Sequence, residues 1–584
     1  MKLIKNICLV CASVAAFSSC QKDLMDLAPY DKIGSGNMWQ SENMADMGVL
    51  GIYNNLRNGN VAGSMYVYDS YGVSSSCRDP QSLLRGNATS GSFGGEWKSF
   101  YEGISRANDA IANLGNAPVK EDKKARLLAE SKFLRAFYYS RLNMLYKGVP
   151  VYTEPTQLED LTKGRSSVED VWNLVVQDLT DAINTASLPD KYAKGSADYG
   201  RITKGAAYAL RGKAYMWMKD WAKAAADFRK VGDCGYSLFQ GEYKQLFKEA
   251  NEQCDEMIFS LQCVGLSGYG NDYSFRFGTR SSFGSCWNSY LVNTDFAESY
   301  ECKDGKPFNW NDFIPGYNQM SPEARSVYFL RDNMTDKQKE KMASDGADLS
   351  KYLENGNEAR IRTAYDNRDP RLEQTIITPY AKYLGATGAT AYTFTLRWPY
   401  VGYDSKDPFD LKTDTNNRYY YLWRKFVAEG ASEIPNRAYS PIDIPLIRYA
   451  DVLLNLAECL NELGQEEEAI ACVNQVRNRA GVAALNSNEY TQVNGKADLL
   501  KRIQNERRWE LAGEGVTFFD ELRWGTWEEA KFAEKNGIKA GLKQIWGSIQ
   551  FDYTFGGKHF YNWAIPRTEI EMNENLVQND GWID

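Results

Sequence analysis

The sequence predicts a mainly α fold: a scaffold of helix pairs carrying a loop-rich, irregular insertion, in a single large domain. Three observations lead there. Amphipathic runs with apolar residues at helical spacing occupy both halves of the chain. In two of those runs small and bulky residues recur at matching offsets, as they do where paired helices pack closely. Between them, about 235–442, the chain is rich in Gly, Asn, Asp, Tyr and Trp, and helical periodicity is patchy. With 584 residues, 43% hydrophobic and 25% charged, the chain can bury a sizeable core, which excludes disorder over most of its length.

Taken in order, Ala125 to Tyr146 places Ala129, Phe133, Phe137 and Leu142 on one face, and Gly148 and Pro150 follow as stop signals. Ser167 to Ala186 turns Val171, Leu174, Val175, Leu179 and Ile183 inward, with Glu169 and Asp170 in the first turn, where the helix dipole favours acids. Ile202 to Trp217 and Trp221 to Val231 form a pair. In it Gly212 and Tyr215, then Ala224 and Phe228, match the two helices of a tetratricopeptide repeat. Ala457, Leu460, Ala469 and Val473 repeat the offsets downstream, so the scaffold reads as tetratricopeptide-like. Within the insertion, Met257 to Val264 and Tyr392 to Trp398 read as strands. Arg418 to Trp423 alternates aromatics like a half-buried strand and is assigned to the core, as is Trp97. Helices resume at Pro445–Leu463, Glu466–Ala480 and Leu499–Ala512.

Composition excludes several functions. Lys+Arg 68 against Asp+Glu 76 gives net −8, without the basic footprint of a nucleic-acid binder. No apolar run reaches the length of a membrane-spanning helix. A single histidine, His559, forbids a multi-histidine metal site and argues against a Ser-His-Asp triad; it reads as a packed or surface residue. GxSxG, HExxH, Walker and CxxC patterns are all missing from the sequence. No cofactor and no metal site is expected, and no catalytic residue is assigned. Asp304 and Asn309 to Asp312 offer oxygen ligands, but without EF-hand spacing.

Lys2 and Lys5, an apolar Ile7–Phe17 stretch, Ser18-Ser19 and then Cys20 form a secretory signal that resembles a bacterial lipobox, with Phe17 where Leu or Val is usual. The expected layout is a signal peptide over 1–19, a lipidated Cys20 with anchor and linker over 20–40, and one domain over 41–584. Within that domain the scaffold covers about 41–234 and 443–512, the ligand-binding insertion about 235–442, and a C-terminal segment 513–584. The mature cysteines are expected to be mostly buried thiols, with one bridge among Cys254, Cys263, Cys286 and Cys302.

Ordered motifs carry a family resemblance. Ala129-Glu130 with Phe133 to Tyr138, Asp369-Pro370-Arg371-Leu372, Ile447-Arg448-Tyr449-Ala450-Asp451 through Glu458, and Asn474 to Gly481 occur in that order. Glu506-Arg507-Arg508 with Glu510-Leu511, Phe519-Asp520 with Arg523-Trp524, and Ile565-Pro566 to Gly581 come after them. Together they resemble the SusD/RagB family of outer-membrane lipoproteins, over essentially the whole mature chain; Asn573-Glu574 departs from the family's Asn-Pro. The resemblance implies a glycan-binding lipoprotein on the outer cell face, lipid-anchored in the outer membrane. It would deliver oligosaccharides to a SusC-like TonB-dependent transporter and would not be an enzyme. A peptide-binding RagB-like importer component and a surface glycoside hydrolase are the alternatives. The paired Arg and Glu residues of these motifs read as buried ion pairs and helix caps, not as a site.

Sugar capture requires exposed aromatic faces for the CH surface and in-plane polar groups for the hydroxyls. By analogy with the family, such residues lie ahead of the Trp97 helix and in the insertion. The candidates are Tyr71, Arg78 and Asp79 in the first region, and Tyr273, Trp287, Asn288, Tyr290 and Trp310 in the second. Trp287 leads, because Gly284-Ser285 and Asn288-Ser289 around it read as loop.

Overall fold

The computed structural model describes residues 38–401, 409–415 and 417–583; Cys20 and the signal and anchor segments lie outside them. The N-terminal scaffold contains α1 (Glu42–Asn54), α2 (Tyr66–Tyr71), α3 (Gly94–Leu114), α4 (Glu121–Tyr146), α5 (Val168–Asn184), α6 (Lys204–Trp217) and α7 (Trp221–Asp233). Side-chain caps set several starts. Ser167 accepts a hydrogen bond from the Asp170 N–H at 3.0 Å, and Thr203 from the Ala206 N–H at 3.1 Å. Successive helices pack on one another from α3 to α7. The pairing of α6 with α7 depends on Gly212: a Cβ there would stand 2.7 Å from the Phe228 ring.

Two short helices of the insertion bear on the ion network and the candidate site, α8 (Tyr273–Phe277) and α9 (Pro370–Thr375). The scaffold then returns as α10 (Tyr449–Glu462), α11 (Glu466–Ala480), α12 (Lys496–Glu510) and α13 (Thr517–Trp524). Helix α10 packs on α7, although more than 200 residues separate them in sequence, so the two runs of helix pairs form one continuous scaffold. Ala457, Leu460, Ala469 and Val473 are all buried between α10 and its neighbours.

Small sheets tie the insertion to this frame. Strand β1 (Ser75–Cys77) pairs antiparallel with β3 (Tyr290–Val292), and β2 (Met257–Leu261) with β9 (Ile444–Arg448). Strand β4 (Ile376–Ile377) pairs with β8 (Leu422–Trp423), while β5 (Lys382–Thr387), β6 (Thr390–Thr395) and β7 (Phe409–Asp410) form one sheet. The Pro445–Arg448 segment is therefore a strand, not the first turn of the following helix. All five β9 residues are buried, and a short apolar run has no periodicity to separate the two states. The Tyr419–Trp423 aromatics are core, but buried on both sides rather than alternately.

The family-like Arg and Glu motifs converge on one buried ion network. Arg371 donates to Glu506 at 2.6 Å, to Glu510 at 3.0 Å and to Asp369. Arg448 donates to Glu510 at 2.6 Å, Glu256 at 2.7 Å and Glu514 at 2.8 Å, and Arg479 also reaches Glu510. Burial opposes ionisation of Glu510, but Arg479, Arg448 and Arg371 together hold its carboxyl far below the usual range. The motif residues thus join α9, β9, α11 and α12 and have a structural role. All eight described cysteines are free thiols, so the bridge expected among Cys254, Cys263, Cys286 and Cys302 is not formed. These four lie in separate loops and strand ends; burial drives the Cys263 and Cys286 thiols up to about 12. His559 packs edge-on against Phe560 and Trp582, each 4.8 Å away.

Candidate functional site

The two candidate regions meet in space. Strand β3 delivers Tyr290 beside Cys77 of β1, and the Arg78 N–H extends the pairing to the Ser289 carbonyl at 2.9 Å. Behind this junction Tyr66 packs against Tyr290 at 4.7 Å and Tyr273 at 4.9 Å, and its hydroxyl donates to Asp272 at 3.0 Å.

The loop between α8 and β3 folds back over its own helix. Helix α8 stops at Gly278, where a Cβ would lie 2.4 Å from the Ser274 carbonyl oxygen. The return is fixed by backbone bonds from Cys286 to Thr279 (2.9 Å), Trp287 to Phe275 (3.0 Å) and Asn288 to Gly278 (2.7 Å). From outside, Ser281 bonds to Lys412 and Ala386, and the Arg437 guanidinium donates to the Gly284 carbonyl at 2.6 Å and to that of Ser285. Two non-glycine residues, Ser285 (φ 59°) and Asn288 (φ 37°), are held in left-handed conformations by these ties. The loop thereby presents Trp287, 41% exposed, with its ring seated on Phe275 at 4.7 Å.

Charged groups ring this aromatic pair. The guanidinium carbons of Arg437 and Arg276 lie 4.6 and 5.5 Å from the Phe275 ring centre. Arg276 pairs with Asp272 at 2.8 Å, Arg78 with Asp414 at 2.7 Å, and Arg280 also with Asp414. Partial burial works against the Asp414 charge, but hydrogen bonds from Arg280 and Arg78 hold its carboxyl below the usual range. The Asp414 N–H donates to Asn288 Oδ1 at 2.8 Å.

The candidates therefore separate into two groups. Trp287 and Asp79 are exposed, Arg78 and Tyr290 are half-buried, and Asn288 is buried directly beneath the loop with its Nδ2 unpaired. Asp79 pairs with Arg85. Tyr71, Tyr273 and Trp310 are corrected: all three are core. Tyr71 packs on Phe518 (5.4 Å) because the face of α2 that carries it points into the scaffold. Tyr273 lies among Tyr66, Phe277 and Phe426. Trp310 is enclosed by Tyr317, Phe329 and Tyr365 and donates to Glu298 at 2.8 Å. At 3% exposure it adds little surface to the cavity of about 640 Å³ that it borders. Phe275, Asp414 and Arg437 were absent from the sequence-derived set. Asp414 and Arg437 belong to the surface only because distant segments converge there, and no local pattern marks them; Phe275 joins it because the loop folds back over its own helix. Among the described residues, no group of three His, Cys, Asp or Glu side chains is placed to hold a metal ion, including around Asp304 and Asp312.

Comparison with known proteins agrees with this architecture. The SusD family model matches residues 255–582, and a model described as "Starch-binding associating with outer membrane" matches 26–216. Two SusD-like proteins of Formosa agariphila are 24% and 25% identical, covering 89% and 94% of this chain and 90% and 96% of their own lengths. Among solved structures, a SusD-like protein of Bacteroides fragilis superposes with a TM-score of 0.74 at 22% identity, over 95% of this chain and 100% of that one. A SusD-like carbohydrate-binding protein of the same species gives 0.71 at 24%, over 92% and 100%. A laminarin-binding SusD-like protein gives 0.60 at 22%, over 93% and 100%. With a family model spanning more than half its length and the same helical frame, the chain belongs to the SusD family.

Proposed function

We propose that the chain is a cell-surface glycan-capture protein that binds oligosaccharides at the Trp287 surface and passes them to a SusC-like TonB-dependent transporter. It is anchored in the outer membrane through lipid on Cys20 and faces outward. The observation that carries this reading is the exposed Trp287 ring, held rigidly on Phe275 and flanked by Arg78, Arg276, Arg280 and Arg437. An apolar ring face beside guanidinium donors is the kind of combination that a pyranose requires. Relatives whose names describe carbohydrate or laminarin binding support the ligand class.

Catalysis is not part of the proposal. Glycoside hydrolysis needs one carboxylic acid whose pKa is raised so that it can protonate the leaving group. The carboxylates at this surface, Asp79, Asp272 and Asp414, are all ion-paired, and Asp414 is displaced in the opposite direction.

The test uses purified protein from Gln21 onward. Native gels containing plant, microbial and host glycans measure retardation, and the same mixtures are assayed for released sugar. Retardation without product is expected. Product release would replace the capture reading with the hydrolase, and retention of peptides alone would replace it with the RagB-like importer.

A further inference from the structure

We propose that the Trp287 surface selects anionic glycans, those bearing uronate carboxylates or sulfate esters; this rests on the capture reading above. The first observation is local charge. Although the chain carries net −8, the described residues around Trp287 and Phe275 set four arginines, Arg78, Arg276, Arg280 and Arg437, against two aspartates, Asp272 and Asp414. Asp79 does not change the balance, being paired with Arg85. One aspartate, Asp414, serves two arginines at once, and Arg437 is held by carbonyl oxygens and the Phe275 face, without a carboxylate partner among the described residues. Both features leave positive charge uncompensated beside the aromatic platform.

The second observation is the kind of polar group that reaches solvent. The Arg78, Arg276 and Arg280 side chains are 26%, 36% and 29% exposed, so N–H donors remain at the surface, whereas the neighbouring acceptors, Asn288 Oδ1 and the Asp414 carboxylate, are occupied. A surface with donors to spare and those acceptors filled suits a ligand rich in acceptors. Carboxylate and sulfate oxygens are acceptors only, and guanidinium groups meet them in a bidentate fork. A neutral hydroxyl also brings a donor, and Asn288 Oδ1 and the Asp414 carboxylate are not free to receive it.

Matched polymers provide the test: polygalacturonate against its fully methyl-esterified form, and a sulfated galactan against its chemically desulfated form, in affinity gels and by calorimetry at 50 and 300 mM NaCl. Preference for at least one charged member, by about tenfold for each charge-assisted hydrogen bond to the anion, is expected. The binding should weaken as salt rises. Which pair shows the effect distinguishes uronate from sulfate. Arg276→Gln should weaken binding of the charged polymer severalfold with thermal unfolding close to that of the wild type; Arg437→Gln, which also releases the Gly284 and Ser285 carbonyls, should weaken it at least as much, and the wild-type salt dependence needs no variant at all. Equal or tighter binding of the neutral members, independent of salt, overturns the anionic preference and leaves glycan capture standing. Equal retention of poly-glutamate overturns it too, as simple ion exchange. No retention of any glycan overturns the capture reading itself.

Discussion

Trp287→Ala isolates the aromatic half of the proposed site, and its effect can be worked from the structure. A tryptophan side chain offers up to about 250 Å², so 41% exposure leaves about 100 Å² open to ligand. At ~25 cal/mol per Å², covering all of that area contributes about 2.5 kcal/mol, and covering little more than half contributes about 1.5 kcal/mol. The expected loss is therefore between about tenfold and seventyfold in Kd. Stability should hardly change, because the loop is fixed by its backbone bonds and by Arg437 rather than by the indole. Calorimetry with the glycan that retards the wild type gives Kd, and denaturant unfolding of the same samples gives stability. Tyr273→Phe serves as the contrast: its hydroxyl is buried without a hydrogen-bond partner, so losing it should leave Kd unchanged and raise stability by about 1–3 kcal/mol. A Trp287→Ala protein that keeps its affinity within twofold would refute the stacking argument, whatever else binds there.

Other perturbations test the frame and the anchor. Glu510→Gln removes the carboxylate shared by Arg371, Arg448 and Arg479, and breaking such a buried arrangement should cost about 3–5 kcal/mol in urea unfolding; a loss below about 1 kcal/mol would contradict the network's role. Burial pushes the Glu298 carboxyl up to about 7 despite the Trp310 hydrogen bond, so its contribution is fully present below the unfolded value near 4.5 and is lost as pH rises to about 7. Glu298→Gln, which keeps an acceptor for Trp310, should match the wild type at pH 4 and exceed it at pH 8 by an amount on the order of 3 kcal/mol; parallel pH profiles would refute this. Gly212→Ala drives a methyl against Phe228 and should destabilise by about 1–3 kcal/mol, read as a lowered urea midpoint. Cys20→Ala should move the chain from the membrane fraction to the soluble fraction and abolish incorporation of labelled fatty acid.

The helical frame was legible because its physics is local. Ser167 and Thr203 cap, Gly212 and Phe228 meet at a fixed offset, and the apolar face of α5 repeats at 3.6 residues, whereas α4 is buried on nearly every side. β9 was misread because a fully buried strand shows no alternation. For the site, sequence located the loop and its exposed Trp287 through Gly284, Ser285 and the Asn288-Ser289 pair, all turn chemistry. It ranked Trp287 first on that turn chemistry but kept Trp310 as a second candidate, since each is an aromatic in a Gly- and Asn-rich stretch. What separates them is tertiary: Trp310 meets Tyr317, Phe329 and Tyr365, while Trp287 packs on Phe275 and stays 41% exposed. Arg437 lies some 150 residues downstream of Trp287, and spacing carries no information about such a meeting.

Perturbed ionisation commonly marks a catalytic centre, yet at Lys531 and Asp69 it marks the core. Lys531, lowered to about 7 by burial, donates to the Gly72 and Ser75 carbonyls. Asp69, raised to about 7 by burial, receives the Gly515 N–H and the Ser74 hydroxyl. Both groups pin the C-terminal segment onto the region around α2 and β1, and neither borders the Trp287 surface. On the proposed capture reading, a protein that binds and releases a ligand without altering it has no use for a poised proton. Its requirement is a surface already in the bound shape, because every side chain or loop ordered on binding subtracts from affinity. The return bonds of the 278–288 loop, the Arg437 clamp on Gly284 and Ser285, and the shared Asp414 meet that requirement before any sugar arrives. On this reading the left-handed conformations of Ser285 and Asn288 are where the fold accepts strain in order to hold Trp287 outward.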